Sequence, residues 1–284
     1  MNQDSEKSGG LSANVLKIIA VITMFIDHFT VIFLMPALYG RGTGLFSSFS
    51  AEEIQTLYSV GRGIGRIAFP IFAFFVAEGL FYTKDRRRYL ERLFLFALIS
   101  EIPFDYSLFG MPFYSGASNV IFTLFLGGVA IYLGDLVLGR KVVMAADGRR
   151  ALKNDAKSNA NNMPVPLRII ITILIYLGAM YLGQYFLTDY SFSGVLVILV
   201  DYLFMYELRS VSGYSDRAGR IMGFSLGIIV LSLFSSRTEL YAAIDLIFIA
   251  LYSGKRGKQY KYFFYIFYPA HLVLLKILFQ FMQK

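Results

Sequence analysis

The sequence contains no cysteine, which removes disulfides, thiolate metal sites, iron–sulfur clusters and a cysteine nucleophile together. It has two histidines, His28 and His271, too few for a histidine-rich metal centre, and no metal site is expected. Charge is scarce: 16% of residues are Asp, Glu, Lys or Arg, against roughly 25% in an ordinary soluble domain. Tryptophan is also missing, so interfacial anchoring falls to the tyrosines at the ends of apolar stretches. What is abundant is apolar surface. The chain is 56% hydrophobic with 28 Phe and 20 Tyr among 284 residues, which excludes disorder. With a mean hydropathy of +0.58, it also excludes most soluble enzyme folds. The expected class is all-α, a polytopic transmembrane helical bundle embedded in the lipid bilayer. The net charge of +8 is read as basic cytoplasmic loops, and no nucleic-acid partner is expected.

Nine apolar stretches are long enough, or nearly so, to cross a bilayer, which takes about 20 helical residues. They are Val15–Met35, Arg66–Tyr82, Tyr89–Phe109, Val120–Leu138, Leu167–Leu187, Phe192–Tyr206, Ile221–Phe234, Leu240–Tyr252 and Tyr262–Met282. The sixth to eighth are short, so eight to ten crossings are compatible with the pattern. With about nine, 21 of the 27 Lys and Arg residues fall on one side. The positive-inside rule makes that side cytoplasmic and puts the N-terminus there. Residues 1–12 are polar and read as a mobile tail, without the features of a cleavable signal peptide. Residues 13–284 read as one integral membrane domain. Within it, the Ser-, Asn-, Lys- and Pro-rich stretch 139–166 reads as a flexible cytoplasmic loop.

Ionisable residues inside apolar stretches are functional candidates, because burying them in lipid is expensive unless they are paired or wet. Asp27 and His28 interrupt the first stretch. Lys17 lies eleven residues before His28, and eleven steps of about 100° return to nearly the same helix face with a rise of about 16 Å. Lys17 then sits at the cytoplasmic mouth and His28 near mid-depth. Imidazole suits proton transfer near neutral pH, so this pattern fits a general base served by an extended ligand. A histidine satisfied by a neighbouring helix, with Asp27 as its ion partner, is the plainer alternative. His271, ten residues after Lys261, should lie at a similar depth, near the helix-disturbing Pro269. Arg62 and Arg66 share a helical face if the helix begins that early, as do Glu101 and Asp105. Pairing of at least one of these carboxylates with the arginines is expected. Asn119, Asp201 and Asp245 are weaker candidates. GRGIGR, Gly61–Arg66, follows no strand and is not read as a dinucleotide fingerprint. Gly223 and Gly227 would mean close helix packing at most. Arg86–Arg88 reads as a membrane anchor.

Five segments, LSANVLKIIAVITMFIDH, GRIAFPIFAFFVAEGLFYT, RLFLFALISEIPFD, NVIFTLFLG and FYIFYPAHL, resemble the TraX family of integral membrane proteins. The likeness runs from Leu11 to about Leu278. More distantly, the chain resembles a wider group of transmembrane acyltransferases whose first span carries a basic residue, ten residues, then His, as Lys17 and His28 do. That group often has two Arg separated by two residues; here Arg88 and Arg92 are separated by three. The resemblance implies a multi-pass protein of the cell membrane. It also implies transfer of an acetyl group from cytoplasmic acetyl-CoA to an amine or hydroxyl acceptor arriving from the other side. The TraX family's founding role is N-terminal acetylation of conjugative pilin subunits. On this reading His28 is the base, and Asp27 orients its imidazole or acts on Arg66. Glu101 completes the candidate catalytic set, and Lys17, Arg88 and Arg92 meet the phosphates. A proton-coupled transporter built on Glu78, Glu101 and Asp105 is the rival reading, and a membrane scaffold the third.

Overall fold

Polar caps set where five of the helices begin. The computed structural model describes residues 10–41, 44–144, 150–156, 158–208, 215–258 and 260–283. Ser12 accepts from the Val15 N–H and opens α1, Ala13–Phe29. A π-helical segment, Thr30–Leu34, and a last turn, Met35–Leu38, carry this helix past His28. Pro36 cannot donate to the Ile32 carbonyl, and the wider turn before it accommodates the loss. Ser50 and Glu53 form a reciprocal capping box at the head of α2, Ala51–Gly65. A turn at Arg66 and Ile67 separates α2 from α3, Ala68–Tyr82. Asp85 caps α4, Arg86–Phe109, and Asn119 caps α5, Val120–Leu138. Both helices stop on a left-handed glycine, Gly110 and Gly139.

A hairpin of β1, Arg140–Met144, and β2, Arg150–Asn154, precedes α6, Val165–Tyr185, and α7, Ser191–Tyr202. A π-helical turn, Leu203–Glu207, extends α7. Ser215 caps α8, Asp216–Phe234. A 3₁₀ segment, Arg237–Ile244, leads into α9, Asp245–Leu251, and α10, Lys261–Met282, follows. The protein is thus nearly all-α, and among the described residues six helical stretches are long and apolar enough to cross a bilayer. They are Ala13–Leu38, Ala51–Tyr82, Val120–Leu138, Val165–Tyr185, Asp216–Phe234 and Tyr262–Met282. α4 is longer than most of these, but Glu91, Arg92, Glu101 and Asp105 lower its hydropathy.

The helix order follows from which faces are apolar. Apart from Glu78, α3 is apolar all round, and twelve of its fifteen residues are buried, so it sits in the middle against α1, α5 and α7. On α4 Leu90, Leu93, Ala97, Ser100, Phe104 and Ser107 are buried in a three-four alternation that makes one seam against α5 and α10, and Asp105 is buried beside it. α6 buries only Thr172, Ala179 and Gly183, packs Ile175, Tyr176 and Met180 against the core, and turns most of its other apolar residues outward, as a lipid-facing helix does. Lipid gives packed helices no hydrophobic gain, so close contact depends on small residues. The Gly223–Gly227 pair supplies one such contact, where added Cβ atoms would meet the Asp201 Cα at 3.3 Å and the Val197 Cγ1 at 3.1 Å on α7.

Two ends are defined by contacts between connections. At the basic end Leu11 pairs with the chain around Tyr252, and Arg256 reaches the Tyr82 carbonyl at 3.2 Å. At the opposite end Ser118 pairs with Thr188, and Gln283 reaches the Arg41 carbonyl at 3.4 Å. Arg86 braces the basic end from inside. Its guanidinium holds Asp135 at 2.6 Å, the Tyr202 hydroxyl at 3.3 Å and the Leu80 carbonyl at 2.8 Å.

The described residues add detail to three expectations. The stretch 139–166 carries the hairpin and a 3₁₀ turn, Asn159–Asn162, where composition suggested a linker. Val142 and Leu152 face each other across the hairpin and pack on the helical core, and ion pairs Arg140–Glu207 and Lys141–Asp155 fasten it. The polar tail ends earlier than Ser12, because the Leu11 N–H donates to the Leu251 carbonyl at 2.9 Å; residues 1–9 lie outside the described residues. The second apolar stretch belongs to a helical run that begins at Ala51, which is early enough to put Arg62 and Arg66 on one face.

Candidate functional site

A cavity of about 540 Å³ enters the bundle from the basic end. Lys84, Arg92 and Arg256 line it with Lys17 of α1, and its polar walls include Asn14, Glu78 and Tyr252. Lys17 lies over the Phe75 ring at 4.7 Å, and Glu78 accepts a hydrogen bond from the Tyr252 hydroxyl at 2.9 Å. Arg92 Nε and Asn14 Oδ1 are buried without hydrogen-bond partners among the described residues, so the wall holds polar atoms that a ligand can satisfy. Further in, the lining passes to Met24, Val120 and Tyr268. Lys17 and Met24 lie on the face of α1 that leads to His28, one turn beyond Met24.

The two histidines meet beside this inner wall. His28 Nδ1 and His271 Nε2 are 2.9 Å apart, and His271 Nδ1 is 2.8 Å from the Phe267 carbonyl. His271 is buried and His28 only partly so. Tyr268, which lines the cavity, stands edge-on to the His28 ring with centroids 6.0 Å apart. The equal depth expected for the two rings therefore becomes direct contact.

On the other side of His28 lies a partly buried ion network. Asp27 Oδ2 pairs with Arg62 Nη1 at 2.6 Å and Oδ1 with Arg66 Nη2 at 3.4 Å, while Arg66 Nη1 holds Glu239 at 2.7 Å. This close approach of α1 and α2 depends on the glycines of GRGIGR. A Cβ on Gly65 would overlap the Asp27 carboxylate, and one on Gly61 would overlap the Thr30 hydroxyl. The motif is a helix-contact device that lets two arginines reach one aspartate.

Not every expected residue joins the site. Asp27 turns to Arg62 and Arg66 and is no ion partner of His28. The arginines take Asp27 and Glu239, which corrects the expected pairing with Glu101 or Asp105. Glu101 instead accepts the Asn119 backbone N–H at 3.0 Å together with its side-chain amide, and Asp105 accepts the Tyr114 N–H at 2.9 Å. Neither lines the cavity, so Glu78, Glu101 and Asp105 do not converge there. Arg88 is exposed and paired with Asp85, away from the cavity that Arg92 lines. Asp201 and Asp245 are buried elsewhere, with carboxylate oxygens lacking hydrogen-bond partners among the described residues. Sequence reasoning missed Lys84 and Arg256 as cavity residues, and missed Glu239 and Tyr268 altogether. FYIFYPAHL carried the only signal for Tyr268, three residues before His271.

Fold and site together define a polytopic helical membrane protein with a histidine pair between a cation-lined cavity and a partly buried ion network. The chain matches the TraX protein family over residues 12–279 and belongs to that family. It is also similar to a probable fimbrial assembly protein, FimC of serogroup H1, from Dichelobacter nodosus. The two are 25% identical over 287 residues, covering 93% of this chain and 94% of the relative. No solved structure matches.

Proposed function

We propose that the protein is a membrane-embedded acyltransferase that moves acetyl from cytoplasmic acetyl-CoA to an amine or hydroxyl acceptor, with His28 as general base. The basic end then faces the cytoplasm, with about nine crossings and the N-terminus inside. The observation that carries the reading is the His28–His271 pair beside the inner wall of a cavity lined by Lys17, Lys84, Arg92 and Arg256. The cavity volume is that of an ordinary ligand pocket, and its cations suit phosphate groups. Lys17, Lys84, Arg92 and Arg256 would hold the phosphates, and Met24 and Tyr268 would lie against the thioester end. Acetyl-CoA supplies the activated acyl carbon.

His28 Nε2 takes the acceptor's proton as the acceptor nitrogen or oxygen bonds to the acyl carbon. The carbon–sulfur bond breaks, and the imidazolium returns the proton to the departing thiolate. An oxyanion donor is also needed. Asn119 is engaged with Glu101 and the Ala97 carbonyl, and Arg62 and Arg66 with carboxylates. Tyr268, in the cavity wall and against His28, fills that role. The name of the fimbrial relative and the family resemblance support a pilin-like acceptor.

Two measurements test this. Mass spectrometry of surface and secreted proteins from cells with and without the gene should reveal an acetyl mark lost in the deletion. An unchanged set of acetyl marks would overturn the reading. In purified protein, Lys17→Met should raise KM for acetyl-CoA about tenfold with kcat unchanged, because a phosphate contact binds ground state and transition state alike. A drop in kcat at constant KM would place Lys17 in the chemistry instead.

A further inference from the structure

The carbonyl of Phe267 can only accept a hydrogen bond, so the His271 nitrogen 2.8 Å from it, Nδ1, carries the proton. A neutral His271 ring then has its lone pair on Nε2. That nitrogen is 2.9 Å from His28 Nδ1, so His28 Nδ1 is the donor and the lone pair of His28 sits on Nε2. The Met24 carbonyl, one turn back on α1, is a second hydrogen-bond partner of the His28 ring and, like that of Phe267, can only accept. The chain of bonds ends on a carbonyl that takes up no proton, so the pair orients rather than conducts.

We propose, building on the acyltransferase reading, that His271 is the positioning residue for His28 and holds it in the tautomer whose unprotonated Nε2 acts as base. An orienting carboxylate is the commoner partner for a catalytic imidazole. Here the adjacent Asp27 is taken by Arg62 and Arg66, and His271 occupies the vacant role. Its own ring is held by aromatic neighbours: Phe267 stacks on it at 4.8 Å between centroids, and Tyr268 and Phe25 stand at 5.8 and 6.2 Å. When His28 gains a proton, its Nδ1–H bond to His271 becomes charge-assisted and shares the new charge.

The chain has two histidines, so ¹⁵N-histidine labelling of the full protein in detergent gives two rings to assign. The wild type should show both rings protonated at Nδ1 near neutral pH. His271→Leu should shift His28 toward the Nε2–H form, and His271→Gln, whose amide oxygen can accept the same bond, should keep it Nδ1–H. A wild-type His28 protonated at Nε2, or an unaltered His28 tautomer in His271→Leu, would overturn the assignment. In the transfer assay, His271→Leu should lose about 10- to 100-fold in kcat with KM for acetyl-CoA unchanged, and His271→Gln should recover most of it. Equal losses in the two variants would count against positioning. The tautomer readout needs no turnover, so an inactive wild type with the expected tautomers would sink the acyltransferase reading and not the role of His271.

Discussion

His28→Gln should lower kcat for acetyl transfer by about 10²- to 10⁴-fold, the usual worth of a positioned general base, while KM for acetyl-CoA stays put. The separation of the two constants follows from the geometry. The cations that would bind the co-substrate lie toward the basic end, and Lys17 alone is about 16 Å of helix away from His28. Glutamine keeps the side-chain volume and can still bond to His271, so thermal unfolding in detergent should move little. A variant that keeps wild-type kcat would remove His28 from the chemistry. One that loses its transition temperature as well as its activity would mark the histidine pair as a structural clasp.

Much of the helical layout was legible in the sequence because each helix carries its own instructions. Val120–Leu138 was bounded to the residue, since Asn119 caps one end and Gly139 stops the other. The depth of His28 and His271 was legible too, because helix rise turns residue counts from Lys17 and Lys261 into distance. Contacts between distant segments were not. Glu239 meets Arg66 across 173 residues of sequence, and no local pattern marks a carboxylate for that partner. Arg86 and Arg88 look interchangeable in the basic run, yet one turns inward to Asp135 while the other stays in solvent with Asp85. The difference lies in what faces each on neighbouring helices. The hairpin at 140–154 was hidden for another reason. Its strands are short, and the polar composition around them outweighs the few apolar residues, Val142 and Leu152 among them, that pack inward.

Arg66→Met should destabilise the protein by about 3–5 kcal/mol, the cost of stranding a buried charge. The loss falls unevenly on its two partners. Asp27 retains Arg62 at 2.6 Å, so its carboxylate stays paired. Glu239, whose side chain is 0% exposed, loses the Arg66 guanidinium, and its second oxygen already lacks a hydrogen bond among the described residues. Arg66→Lys should give an intermediate loss, because an ammonium point charge replaces a planar fork that now reaches two carboxylates at once. The decisive measurement is the double variant Arg66→Met with Glu239→Leu. If stranding Glu239 is the main cost, the pair should unfold later than Arg66→Met alone, a coupling that independent sites do not show. Additive losses would assign the effect to packing of the Arg66 side chain, which also lies over the Tyr190 ring at 5.9 Å. The same comparison separates stability from catalysis. Asp27 precedes His28 on α1, so a rescued double variant with weak transfer would show that Arg66 also sets the orientation of the helix carrying the base.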